Sequence, residues 1–261
     1  MNYHLSQIPE RTLKPRNNGM TMVMDKGLSP REVEDFIEVA GPFVDIVKLG
    51  WATSYVTPVL EKKLAIYKAA GIPVYFGGTL FEAFIIRNQY DDYKRLLDKF
   101  QLGHAEVSDG SIILDHQKKC EYISDLAKIV TVVSEVGSKD AENIMAPYQW
   151  IELMLAELAA GSHYVIAEAR ESGNVGIYRP NGSAHTTLIK MILTKVDMGD
   201  IVWETPKKSQ QAWFIKQFGA NVNLGNIGHD EVIPLETLRI GLRGDTFHDF
   251  LPEELAKKSL K

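Results

Sequence analysis

Ile129-Val-Thr-Val-Val-Ser-Glu135 is a β-branched run that stops at a carboxylate. A short, nearly continuous apolar run of this kind reads as a strand covered on both faces, the situation of a strand in a parallel sheet. Outward in both directions the pattern repeats. Before it come Thr21-Met-Val-Met-Asp25, Val44-Asp-Ile-Val-Lys48, Ile72-Pro-Val-Tyr-Phe76 with Gly77, and His104-Ala-Glu-Val107. After it come Tyr164-Val-Ile-Ala-Glu168, Ile201-Val-Trp-Glu204 and Val222-Asn-Leu-Gly-Asn226. The runs lie roughly 30 residues apart, the length of one βα unit in a barrel of about 250 residues. The 261 residues therefore predict one α/β domain, a single (β/α)8 TIM barrel over 1–261, with a polar N-terminal arm at 1–18. In such a barrel the chemistry comes from the carboxyl ends of the strands.

Helical stretches fill the gaps. Ser29-Pro30 has an N-cap followed by proline at the first helical position. Leu60, Leu64, Ile66 and Tyr67 mark an apolar helix face. The stretch from Leu80 to Leu102 is interrupted near Asn88, which predicts two helical pieces, and Leu235 to Leu242 predicts a final helix.

Composition narrows the functional classes. A net charge of −5 argues against a nucleic-acid or anionic-membrane partner. One cysteine, Cys120, leaves no disulfide framework or thiolate metal cluster, and a structural thiol in a helix is the expectation for it. No apolar run reaches the roughly 20 residues of a membrane span, and the polar start carries no secretory h-region. A cytoplasmic protein is expected; the sequence is compatible with a homo-oligomer and does not specify one.

The strand tips carry the candidate chemistry. Glu106, Glu135, Glu168 and Glu204 close consecutive strands, and Asp25 closes the first. Crowded carboxylates need an offset, from a hard divalent cation, from Lys or Arg, or from protonation. Magnesium suits an all-oxygen donor set; ion pairing to Lys48, Lys139 or Arg170 is the alternative. Lys139 follows the fifth strand and can serve as proton donor or Schiff-base amine. Gly77-Gly78-Thr79, ahead of a helix, and Gly225-Asn226, at the eighth strand, are candidate phosphate-binding turns. Arg170 offers a guanidinium to an anion. Trp51, just after Lys48, is a candidate wall for the mouth, with packing as the favoured role, and His104 and His163 are expected near strand starts, away from the chemistry.

Several segments together resemble the phosphosulfolactate synthases of coenzyme M and sulfolactate biosynthesis, over about Thr21 to Phe247. They are Asp25-Lys-Gly27, Val47-Lys-Leu-Gly-Trp51, Gly77-Gly-Thr-Leu-Phe-Glu82, Ser134-Glu-Val-Gly-Ser-Lys139 and Glu168-Ala-Arg-Glu-Ser-Gly173. Lys208-Ser-Gln-Gln211, Asn221-Val-Asn-Leu-Gly-Asn-Ile227 and Leu235-Glu-Thr-Leu-Arg-Ile-Gly-Leu-Arg-Gly-Asp-Thr246 continue the set. The resemblance implies a carbon–sulfur lyase that uses magnesium to add sulfite to phosphoenolpyruvate, giving (2R)-3-sulfo-2-phospholactate. It implies Lys139 as general acid at C2, with Lys48 and Arg170 holding the two anions. Residues 111–117 and 173–186 depart from the family pattern, and Gly225 stands where alanine is expected. Two other readings remain open at this stage: a Schiff-base lyase using Lys48 or Lys139, and a non-enzymatic metabolite- or partner-binding barrel like the plant heat-stress-associated relatives.

Overall fold

The structure is a computed structural model that describes residues 2–137 and 145–258. Eight strands form one parallel sheet: β1 Thr21–Asp25, β2 Ile46–Leu49, β3 Val74–Phe76, β4 His104–Val107, β5 Thr131–Val136, β6 Ser162–Ala167, β7 Ile201–Glu204 and β8 Leu224–Gly228. Their order is β3-β2-β1-β8-β7-β6-β5-β4, all pairs parallel, so the sheet curls round until β3 and β4 face each other. Across that seam the amide of Gly78 donates to the Glu106 carboxylate at 2.6 Å. The architecture is the expected (β/α)8 barrel.

The helices are α1 Pro30–Ala40, α2 Thr53–Val56, α3 Leu60–Ala69, α4 Gly78–Ile85, α5 Tyr90–Lys99, α6 His116–Leu126, α7 Pro147–Ala160, α8 Thr186–Ile192, α9 Lys208–Phe218, α10 Val232–Arg239 and α11 Glu253–Lys258. Ser29 caps α1 in a reciprocal capping box with Glu32, with Pro30 at the first turn. The predicted break at Asn88 is a left-handed residue (φ 57°) between α4 and α5. None of the helices is long and apolar enough to cross a membrane among the described residues.

Two buried layers set the direction of every strand side chain. Met20, Met22, Ile46, Tyr75, Val133, Ile166 and Val202 fill the barrel interior. Val23, Val47, Val74, Val132, Val165, Ile201 and Leu224 belong to the larger core shared with the helices. Side chains alternate along a strand, so two residues beyond an interior position lies another interior position. Ile46 leads to Lys48, Val133 to Glu135, Ile166 to Glu168 and Val202 to Glu204, which lifts the charged groups to the top of the barrel.

Strand boundaries differ from the sequence reading where side chains intervene. The eighth strand begins at Leu224, two residues later than expected, because Asn223 turns its side chain to the Met20 amide at 3.0 Å. It also runs on through Gly228, so Gly225 and Asn226 lie inside the strand. The pairing of β1 with β8 steps from Thr21↔Leu224 to Val23↔Ile227, a bulge that contains them. The N-terminal arm is no loose extension. Arg11 makes two bonds to Glu236 (2.9 and 3.2 Å), and Arg16 pairs with Asp45 at 3.0 Å, closing the strand-start end of the barrel.

Candidate active site

A cavity of about 400 Å³ opens at the carboxyl end of the sheet. Lys48, Glu106, Glu135, Glu168, Glu204, Arg170, Gly77, Thr79 and Asn226 all line it, together with Trp51 and Ser111. Most of the residues singled out from the sequence thus converge on one site. Three do not. Gly78 gives its amide to Glu106, and its missing side chain is what permits the approach: a Cβ there would meet Ser108 Oγ at 2.1 Å. Gly225 makes room for Met22, whose Cε would lie 2.6 Å from an added Cβ. Asp25 shares its strand face with Val23 and points to the helices. It accepts from the Gly27 and Leu28 amides (2.8 and 2.9 Å), the Tyr67 hydroxyl (2.9 Å) and Lys63 Nζ (2.6 Å). Lys139 lies outside the described residues.

Lys48 is the hub. Its Nζ stands 2.9 Å from Glu106 Oε2 and 3.5 Å from both Glu135 Oε2 and Glu204 Oε1. Burial by itself would lower its pKa, but the three carboxylates outweigh that and hold it well above the ordinary lysine value. Two of the acids are raised as well, which for a carboxyl favours the neutral form. Burial raises Glu106, with Lys48 opposing and Glu135 adding to the rise. Burial likewise pushes Glu204 up to about 8, against Lys48 and the Ala169 amide that donates to its Oε2 at 2.8 Å. That rise favours the neutral form of Glu204, one way the crowding of the acids is relieved.

Asn226 sits in the bulge with φ 56°, a conformation Asn tolerates better than most residues. Its buried Oδ1 has no hydrogen-bond partner among the described residues, and it lines the cavity. Trp51, also left-handed, stands half-exposed at the rim beneath Lys26, whose ammonium lies 5.0 Å from the ring centroid. Lys26 also pairs with Glu171 across the mouth.

The sequence reading left out the supports beneath these groups. Lys119, buried on α6, donates to the Glu135 carbonyl at 2.6 Å while pairing with Glu157 (2.8 Å) and Asp109 (2.9 Å). Glu82 accepts from Ser108 Oγ and, at 3.0 Å, from the Ser111 amide, anchoring the loop after β4. Only Glu82 had a signal, its place in the Gly77–Glu82 segment. Cys120 lies on α6, and burial chiefly raises its thiol, which fits the structural role expected for it. His104 and His163 lie at the start of β4 and near the start of β6, as expected.

The fold and this site define a (β/α)8 barrel with a buried lysine–carboxylate cluster at the carboxyl end of its strands. The family model of (2R)-phospho-3-sulfolactate synthase (ComA) matches residues 9–245. The phosphosulfolactate synthase of Bacillus subtilis (strain 168) is 38% identical over 250 residues, covering 95% of this chain and 99% of that protein. The phosphosulfolactate synthase of Methanocaldococcus jannaschii is 41% identical over 235 residues, covering 88% and 94%. The chain belongs to the phosphosulfolactate synthase family. Among solved structures, 3-hexulose-6-phosphate synthase from Salmonella typhimurium aligns with a TM-score of 0.57 at 14% identity, over 86% of this chain and all (100%) of that one. That likeness concerns the fold alone.

The oxygen donors of the cavity are of the kind that suits magnesium. Glu135, Glu168 and Glu204 bring carboxylate oxygens to one cavity wall, and magnesium takes one or two carboxylates and completes its shell with water and substrate oxygens. Among the described residues no group of three or more His, Cys, Asp or Glu could by itself hold a metal ion.

Proposed function

We propose that this protein adds sulfite to C3 of phosphoenolpyruvate to give (2R)-3-sulfo-2-phospholactate. The observation that carries the reading is the Lys48–Glu106–Glu135–Glu204 cluster in a cavity that also holds Arg170, in a chain of the phosphosulfolactate synthase family. The sulfur lone pair forms the C–S bond at C3. The C2=C3 electrons move toward C2 and the carboxylate, and a proton is then delivered to C2. Charge therefore grows on the substrate carboxylate as the bond forms, and groups aimed there stabilise the transition state more than the ground state.

Magnesium, held by Glu168 with Glu135 or Glu204, would supply Lewis-acid polarisation of that carboxylate. The chain's own groups do the rest. Arg170 offers a bidentate fork to an anion. Gly77, Thr79 and Asn226 supply polar contacts for the phosphate, and Trp51 covers the entrance. Lys139 is the proposed acid at C2. Lys48, kept protonated by three carboxylates, serves as a fixed positive charge, which weighs against a Schiff-base role for it.

The protein incubated with sulfite, phosphoenolpyruvate and magnesium should form phosphosulfolactate, read by mass spectrometry. A folded protein that forms none would end the proposal. Replacement of Lys139 by alanine should lower turnover by about 100-fold or more, the range of a lost general acid.

A further inference from the structure

Between β6 and α8 the chain makes an excursion through residues 170–184, most of it within the 173–186 stretch that departs from the family's sequence pattern. It folds back as a small hairpin: Tyr178 bridges Ala184, and the Arg179 amide donates to the Ser183 carbonyl at 2.9 Å. Its inner side chains, Ile177 and Tyr178, are buried. The hairpin touches the backbone of two cavity acids. The Ile177 amide donates to the Glu168 carbonyl at 3.2 Å, and the Tyr178 hydroxyl donates to the Glu204 carbonyl at 2.7 Å. Gly176 makes the first contact possible, since a Cβ there would lie 2.1 Å from the Glu168 carbonyl oxygen. Gln210 of α9 ties both arms of the excursion, donating to the carbonyls of Gly173 (2.8 Å) and Gly182 (3.2 Å).

We infer that this hairpin is a positioning element that fixes Glu204 relative to Glu168, and that the Tyr178 hydroxyl is its working contact. Glu204 is the last residue of its strand, so at that carbonyl the hold of the sheet is ending. Tyr178 supplies the restraint from behind, while the Ala169 amide orients the carboxylate in front. Tyr178 does not itself line the cavity and acts through Glu204. This inference deepens the proposed reaction and rests on it for its effect on turnover.

The test is Tyr178→Phe, which deletes one oxygen and keeps the buried ring. Tyr90→Phe is the control: it removes a hydroxyl bonded to Asp125 at 3.0 Å, on α5 and away from the cavity. Crystal structures of wild type and Tyr178→Phe should show the Glu204 carboxylate displaced in the variant. Its kcat should fall roughly tenfold with KM nearly unchanged, since small misplacements of reacting groups act on rate; Tyr90→Phe should keep wild-type kcat. An unmoved Glu204, or an unchanged kcat in an active background, overturns the inference. A wild-type protein that forms no product defeats the proposed reaction instead, and the crystallographic comparison still decides the positioning role.

Discussion

A lysine ammonium with one carboxylate at 2.9 Å and two at 3.5 Å, all buried, is a charge set in which no member is free to leave. Removing the cation exposes the acids to mutual repulsion in a poorly solvated place, whereas keeping it leaves a preorganised positive centre. Lys48→Met should therefore cost about 3–5 kcal/mol of stability, the range for breaking a buried pair, and turnover should drop below a hundredth of wild type by about the same logic of lost preorganisation. Thermal melts and product assays on the same preparation measure both. Asp25 is the contrasting acid. Its four donors make it an anchor between β1 and the helices, so Asp25→Asn should lower the melting temperature by several degrees, about 1–3 kcal/mol for damaged charged hydrogen bonds, while kcat per folded molecule stays close to wild type. A collapse of kcat with an unchanged melting temperature would return Asp25 to the catalytic ring.

At the scale of elements, the difference between Asp25 and the other acids is one of parity. Whether a strand tip faces the interior or the helices depends on which residues of the run are interior. A run apolar on both faces, such as Thr21-Met-Val-Met-Asp25, does not display that. The eight strands were legible because β-branched runs at a βα spacing have few other uses, and Lys48, Glu106, Glu135, Glu168 and Glu204 were legible because charged residues end buried runs. Tyr178 and Lys119 were not: they act on backbone carbonyls from elsewhere in the chain, and no local pattern encodes such a contact. The Gly77-Gly78 pair was legible as a turn but not as a seat for Glu106. That seat makes a prediction whose sign runs against propensity. Alanine favours a helix interior by about 1 kcal/mol over glycine, yet in Gly78→Ala the new Cβ would meet Ser108 Cβ at 2.6 Å and Glu106 Oε1 at 2.8 Å. Overpacking costs about 1–3 kcal/mol and here also strains the β3–β4 seam. The variant should be less stable than wild type in urea titrations, and its kcat should fall because Glu106 is displaced from Lys48. Equal or greater stability would mean that the α4 N-terminus can slide.

Over the whole molecule, titratable burial is split between the two ends of the barrel, and the two ends respond to pH in opposite directions. At the top, Glu204 is raised to about 8 from 4.5, so the folded protein holds a proton that the unfolded chain has released. Its stabilising contribution is present at low pH and is lost as pH rises from about 4.5 toward 8. At the bottom, burial chiefly, helped by His163, lowers His104 below its ordinary 6.5. Here the unfolded chain takes up the proton first, so stability is lost as pH falls below about 6.5. The groups facing that cavity, Arg16, Asp45, Tyr75, His163 and Tyr164, contribute to the same region of the protein. Melting temperatures of wild type, Glu204→Gln and His104→Gln, recorded from pH 5 to 9 with chelator present, separate the two ends. The curve for wild type minus His104→Gln should be flat above about pH 7 and fall below it. The curve for wild type minus Glu204→Gln should decline from acid toward about pH 8 and then level off. If the His104 difference curve stays flat down to pH 5, the basal cavity admits enough water to solvate the imidazolium. The N-terminal arm, held there by Arg11 and Arg16, would then not seal that end.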